Sequence, residues 1–322
     1  MGKINQDDLV LQNIFKNVNK KSQKCFLCDK KAINSHLLQR NGILNHIEEN
    51  GHIVQLKGND FFKSEKEGIL SIANIGVKNA MSYPLFCSHH DSNVFEEIEQ
   101  NQLDLSKYLS QILFSYRSLC AEIRKKENNV DIYSRIQNSV HFSLHFEFLN
   151  FIKEQKTANQ IGIKNMNMYK VAFEEAIFQG KLNDFHFETI ELDFYPVSIS
   201  AVYSPIIPNK HTHSFLMNPN NILDFIFINL IPQSNKLFLV IGYHKNYVNS
   251  WILDYISSWQ NKNKKISELI TDLVSTKVET WAISPDFFKK INKYSLSKFK
   301  NYWEQNAANI NVNQKIDFNL FE

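Results

Sequence analysis

Between Leu103 and Ile123 the apolar residues recur at steps of three and four: Leu105, Tyr108, Leu109, Ile112, Leu113, Tyr116, Leu119, Cys120 and Ile123. That spacing puts them on one face of a long helix. Arg124, Lys125 and Lys126 follow, and cations suit the carbonyl end of a helix, so the pattern predicts its end there. Helical spacing returns over roughly 130 to 153 and from Tyr169 to Phe178, where Gly180 is a candidate cap. From about 186 to 244 the period changes to two. Ile190, Leu192 and Phe194, then Val197, Ile199, Ala201 and Tyr203, alternate with other residues. Two dense apolar runs, Phe225 to Ile231 and Leu237 to Tyr243, flank Pro-Gln-Ser-Asn-Lys and predict a hairpin. Three further helices are predicted over Val248–Trp259, Ile266–Val274 and Leu296–Asn306.

The first hundred residues read differently. Short apolar patches separated by Gly42, Gly51, Gly58, Gly68 and Gly76 predict small strands and turns. The same segment holds Cys25, Cys28 and Cys87 with His36, His46, His52, His89 and His90. The fold class expected is α+β: a small zinc domain over 1–100, then a larger domain over 101–322 with long helices, an antiparallel sheet at about 186–244 and C-terminal helices.

Composition narrows the classes. Hydrophobic residues at 43% and charged residues at 21% are ordinary globular usage and exclude a disordered chain. The net charge of +3 is too small to diagnose a nucleic-acid partner, so that inference needs local clustering. The longest apolar run, Ile222 to Ile231, contains Asp224 and Asn229 and falls short of the about 20 residues that span a bilayer. No membrane partner is expected. The start, MGKINQDDLV, lacks a basic segment followed by an apolar block, so a cytoplasmic location is expected. Thiols stay reduced there, and a close cysteine pair then reads as a metal site.

Cys25-Phe-Leu-Cys28 is such a pair. Two thiolates two residues apart on a tight turn can both reach one tetrahedral zinc. Cys87 and His90 repeat the gap at the start of a helical stretch, and His89 is the alternative to His90. The four predict a structural Zn2+ site of Cys3His type in a treble-clef layout. Cys120 lies on the apolar helix face and reads as core. Lys16, Lys20, Lys21, Lys24, Lys30 and Lys31 surround the first pair, opposed locally only by Asp29. Such a strip can follow a phosphate backbone, and it can equally be a solvated surface.

Between the pairs lies Ser35-His36-Leu-Leu-Gln-Arg40. The order of a cysteine pair, a polar-His-apolar segment, and a second metal pair followed by a polar ligand resembles the HNH endonuclease module. The resemblance implies metal-dependent phosphodiester cleavage, of DNA or RNA. It makes His36 the general base and Asn79 the residue that steadies it. Asp91 then stands at the position of the last His, as ligand of a catalytic Mg2+ or Mn2+. The chain departs from that pattern, with Leu38 and Gln39 where proline is usual and a long gap before Cys87. A role in bacterial defence follows by association with stand-alone nucleases of this type.

The string of Cys pair, Ser-His, Glu49-Asn-Gly-His52, Phe-Cys and His-Asp also resembles an uncharacterised bacterial group, which implies no activity. His36 can alternatively serve as a zinc ligand or a structural residue. The competing function is then a zinc-stabilised protein that binds nucleic acid or another protein without catalysis, with 101–322 as a protein-partner surface. Arg135 and His141 have the Arg-x5-His spacing of HEPN ribonucleases. His141 and His145, set among Phe142, Leu144, Phe146 and Phe148, read as a partly buried helix face. His211 and His213 read as a loop.

Overall fold

The structure is a computed structural model that describes residues 6–58, 70–100, 102–204, 222–248, 250–306 and 315–322. His211 and His213 lie outside the described residues. In chain order the elements are α1 (Gln6–Lys20), β1 (Ile33–His36), β2 (His52–Gly58), β3 (Leu70–Gly76), β4 (Ser82–Phe86), α2 (Ser88–Val94), α3 (Tyr108–Gln137) and α4 (Phe146–Gln179). Then come β5 (Phe185–Asp193), β6 (Val197–Tyr203), β7 (Ile226–Gln233), β8 (Lys236–His244), α5 (Ser250–Gln260), α6 (Ile266–Thr276), β9 (Trp281–Ile283), α7 (Pro285–Lys290) and α8 (Lys293–Asn306). The class is α+β, as the patterns predict. Among the described residues no helix is long and apolar enough to cross a membrane.

Seven strands form one sheet in the order β3-β2-β9-β6-β7-β8-β5, and β1 pairs with β4 separately. Every pairing is antiparallel. The period of two decides the faces. Ile226, Ile228 and Leu230 of β7 join Val197 and Ile199 of β6 in one cluster, covered by α5, α6 and α8 through Ile256, Ile270, Val274 and Phe299. Phe227, Ile231 and Val240 point the other way, onto Leu119, Ile123, Tyr169 and Phe173 of α3 and α4. The sheet is therefore a middle layer between two helical layers.

The β7–β8 hairpin turns on only two residues. Ser234 and Asn235 both take positive φ (50° and 62°), the backbone of a twist-matched tight turn. Pro232 and Gln233, expected in the loop, stay paired with Leu237 and Lys236. Proline is tolerated because the ladder from β7 to β6 stops at Leu230. Gly180 caps α4 at φ +69, the left-handed conformation that favours glycine.

Two expectations need correction. The helix does not stop at Arg124–Lys126 but continues to Gln137. Lys125 and Lys126 pair with Glu122 within the same helix instead of serving its end. The segment 130 to 153 is not one helix, because a turn around Val140–Phe142 reverses the chain into α4. His141 and His145 sit in that turn rather than on a helix face. His141 meets Asp7 of α1, and His145 is exposed.

Structure is shared across the boundary expected at residue 100. Strands β2 and β3 come from the first hundred residues yet form one end of the large sheet, joined to β9 by Val54↔Ile283 and Gln55↔Ala282. Leu38, Leu44, Ile53 and Phe86 share a single buried cluster with α3, α4, Phe227 and Ala282. We therefore expect the chain shortened to 101–322 to lose cooperative unfolding, because β9 is left without β2 and α3 without its apolar cover. Thermal melts followed by circular dichroism check this. A sharp transition in the shortened chain would show that the sheet is complete without β2 and β3.

Candidate metal centre

The first ligand pair sits on a turn closed by backbone bonds. The Cys25 N–H donates to the Lys30 carbonyl at 2.8 Å, and the Leu27 N–H donates to the Cys25 sulfur at 3.4 Å. The Phe26 N–H donates to the Leu85 carbonyl at 3.0 Å, tying the turn to β4. The second pair is placed by the change from strand to helix. β4 ends at Phe86, Cys87 has extended backbone at the N-cap of α2, and His90 lies on its first turn.

These two local structures converge. The metal-binding atoms of Cys25, Cys28, Cys87 and His90 all lie within 4.8 Å of one another. Cys28 Sγ is 3.7 Å from Cys87 Sγ, and His90 Nδ1 is 3.3 Å from Cys25 Sγ and 3.5 Å from Cys87 Sγ. With bonds of about 2.3 Å to sulfur and 2.0 Å to nitrogen, a tetrahedral zinc needs edges of roughly 3.8 Å between sulfurs and 3.5 Å between sulfur and nitrogen. These three distances match those edges, so the four side chains can hold a metal ion such as zinc. The amide N–H of His90, working against burial, pulls the Cys87 thiol below its ordinary value and favours the ligating thiolate. His89 is turned away, with Nδ1 at 3.3 Å from Asn93 Nδ2.

The residues given catalytic roles by resemblance are placed differently. His36 ends β1, half-buried, and its Nε2–H donates to the Val77 carbonyl at 3.2 Å. Burial pushes its imidazole below the ordinary value, so it is neutral at pH 7 and stands outside the metal cluster. Asn79 is exposed on the turn before β4, where its carbonyl accepts from the Ser82 hydroxyl. Asp91 faces Arg117, with Oδ1 at 3.7 Å from Nη2. Among the described residues no second group of three or more His, Cys, Asp or Glu side chains converges on a metal position. Glu49 is structural, since its carboxylate accepts from the Ser284 hydroxyl and the Asp286 N–H and so caps α7.

All six lysines of the basic strip are exposed. Lys21 pairs with Asp131 and Lys24 with Asp29, both at 2.8 Å. Lys16, Lys20, Lys30 and Lys31 make no ion pair among the described residues.

Two residues of α3 lie buried beside this site: Arg117, which the patterns do not single out, and Arg124, which they read as part of a helix end. Arg117 and Arg124 of α3 are 1% and 5% exposed. A signal exists, since Leu113, Arg117, Cys120 and Arg124 follow steps of four, three and four, and a cation in an apolar stripe needs a partner. No protein-family model, curated protein or solved structure matches the chain, so the HNH-like resemblance rests on its own residues alone.

We expect purified protein to carry one equivalent of zinc, measurable by elemental analysis, and Cys25→Ala or Cys87→Ala to lose it. Zinc contributes folding free energy on the order of 10 kcal/mol in small fingers, so both variants should become protease-sensitive near the ligand turns. Acid should have the same effect. Thiolates and imidazole bind metal only when deprotonated, so affinity falls as pH falls, and metal should leave below about pH 5. Less than half an equivalent in the wild type under reducing conditions would refute the site.

Proposed function

We propose that this chain is a zinc-stabilised protein that binds nucleic acid through the basic strip beside its metal centre. The carrying observation is the donor set. Four protein side chains converge on one position, and a tetrahedral ion bound by all four would have no open position for water or substrate, which is the form of a structural site. The adjoining surface supports a polyanion as partner, because Lys16, Lys20, Lys30 and Lys31 are exposed without acidic partners among the described residues. Phosphates can displace solvent from such lysines with release of counterions.

HNH-type cleavage is the second reading, and one observation favours it. His36 lies on β1 and is neutral, and Asp91 follows the second ligand pair on α2, in the order that module uses. Against it stand the engaged states of both side chains. His36 would have to release the Val77 carbonyl, and Asp91 would have to release Arg117.

Fluorescence anisotropy with single- and double-stranded DNA and RNA tests the first reading. Binding should weaken with salt, and replacing Lys16, Lys20, Lys30 and Lys31 by Glu should reduce the slope of log K against log salt by about 0.7 to 0.9 per lost phosphate contact. No binding even at low salt would overturn it. The same samples, incubated with magnesium, manganese or EDTA, test the second. Metal-dependent cleavage that falls about 10²- to 10⁴-fold in His36→Ala would place the general base there.

A further inference from the structure

The metal ligands come in two pairs on two separate pieces of chain, and a tetrahedral site needs both held in register. Helix α3 touches each piece through one buried guanidinium. Arg124 donates from Nη2 to the Lys24 carbonyl at 2.7 Å and from Nη1 to Gln23 Oε1 at 3.0 Å, both on the approach to Cys25. Its Nε donates to the Pro84 carbonyl of β4 at 3.0 Å, and Nη1 also meets Glu127 at 2.7 Å. The guanidinium lies 4.3 Å from the ring centre of Phe26, the residue after Cys25. Arg117 holds the other piece. It bonds Glu99 at 2.7 Å, stands 3.7 Å from Asp91 beside His90, and stacks 4.1 Å from the ring centre of Phe95, just past α2.

Seven residues separate the two arginines, which places them about two turns apart on one face of α3. Each guanidinium offers a planar set of donors that fixes several acceptors at once, which an ammonium cannot do. Both guanidinia are buried, so losing these acceptors would leave a buried charge unpaired, a cost that favours keeping the turn and the α2 start in place without metal. From this geometry we infer that Arg124 and Arg117 are positioning residues of the metal centre, Arg124 for the Cys25–Cys28 pair and Arg117 for the Cys87–His90 pair. The effect is preorganisation: outer partners that orient ligands typically change metal affinity by about 10- to 100-fold. The inference rests on the metal centre and not on nucleic-acid binding, so either can fail without the other.

The test uses the full chain and two readouts. Zinc affinity is measured by competition with a chromophoric chelator, and cobalt is substituted so that its visible bands report the tetrahedral sulfur-rich geometry. Arg124→Gln and Arg117→Gln should each weaken zinc by about 10- to 100-fold and alter the cobalt spectrum. Arg124→Lys and Arg117→Lys, which keep the charge but lose the fork, should fall between wild type and the Gln variants. Arg135→Gln is the control, because Arg135 lies on the same helix and, among the described residues, its ion pair is with Asp131 on the surface. It should change neither readout. A role in general stability alone would lower the melting temperature and leave affinity and spectrum as in wild type, and that result overturns the inference. If a Gln variant does not fold, the Lys variant decides: weaker zinc supports the assignment, and wild-type affinity overturns it.

Discussion

Helix α3 is enclosed on nearly every side, and the rest of the molecule is arranged around that constraint. Sixteen of its thirty residues are buried, too many for one apolar stripe. One side meets the sheet, where small residues allow close approach. The Ser118 hydroxyl contacts Ser200 Oγ at 2.6 Å and donates to Asn229 Oδ1 at 3.2 Å. Another side meets α4, where the Tyr116 hydroxyl donates to Glu174 at 2.8 Å. A third carries the arginines toward the ligand turns. A helix with three occupied sides cannot shift for one neighbour without disturbing the others, so the metal centre and the sheet share one rigid support.

The front segment shares its buried side chains and strand pairing with the rest of the chain. The metal ligands join the turn to α2, while Leu38, Ile53 and Phe86 bury themselves against α3 and the sheet. The long insertion between β1 and β4 belongs to the large sheet in the same way, since β3 pairs with β2 and β2 with β9, and neither joins the β1–β4 pair.

What could be read in the sequence is what local spacing encodes. The paired two-residue gaps at Cys25–Cys28 and Cys87–His90, the period of three and four through α3, the alternation of β6 and the glycine after α4 each carry their meaning within a few residues. The union of β2 with β9 is different. Val54 and Ile283 are joined across more than two hundred residues, and no pattern within either strand names the other. Strand β9 is three residues long, too short to display a period. The end of α3 is hidden because Arg124, Lys125 and Lys126 look like a helix terminus until their partners Glu122 and Glu127 are considered. Partner geometry, not residue type, decides the role of a charge.

The same principle bears on Asp91. A carboxylate after the second ligand pair could balance a catalytic divalent ion or a fixed cation, and in this fold Arg117 stands beside it. Arg117 cannot leave, because its side chain is buried and also bound to Glu99 and Phe95. A second cation about 4 Å from it would be repelled by about 4 kcal/mol per unit of charge at an effective dielectric of 20, and a divalent ion would feel twice that. Glu99 and Asp91 together would have to offset the repulsion while still neutralising the guanidinium. Two carboxylates set against a guanidinium and a divalent ion would leave net positive charge, which works against a magnesium or manganese position at Asp91. Cys25, Cys28, Cys87 and His90 remain the one group of three or more such side chains among the described residues that can hold a metal ion.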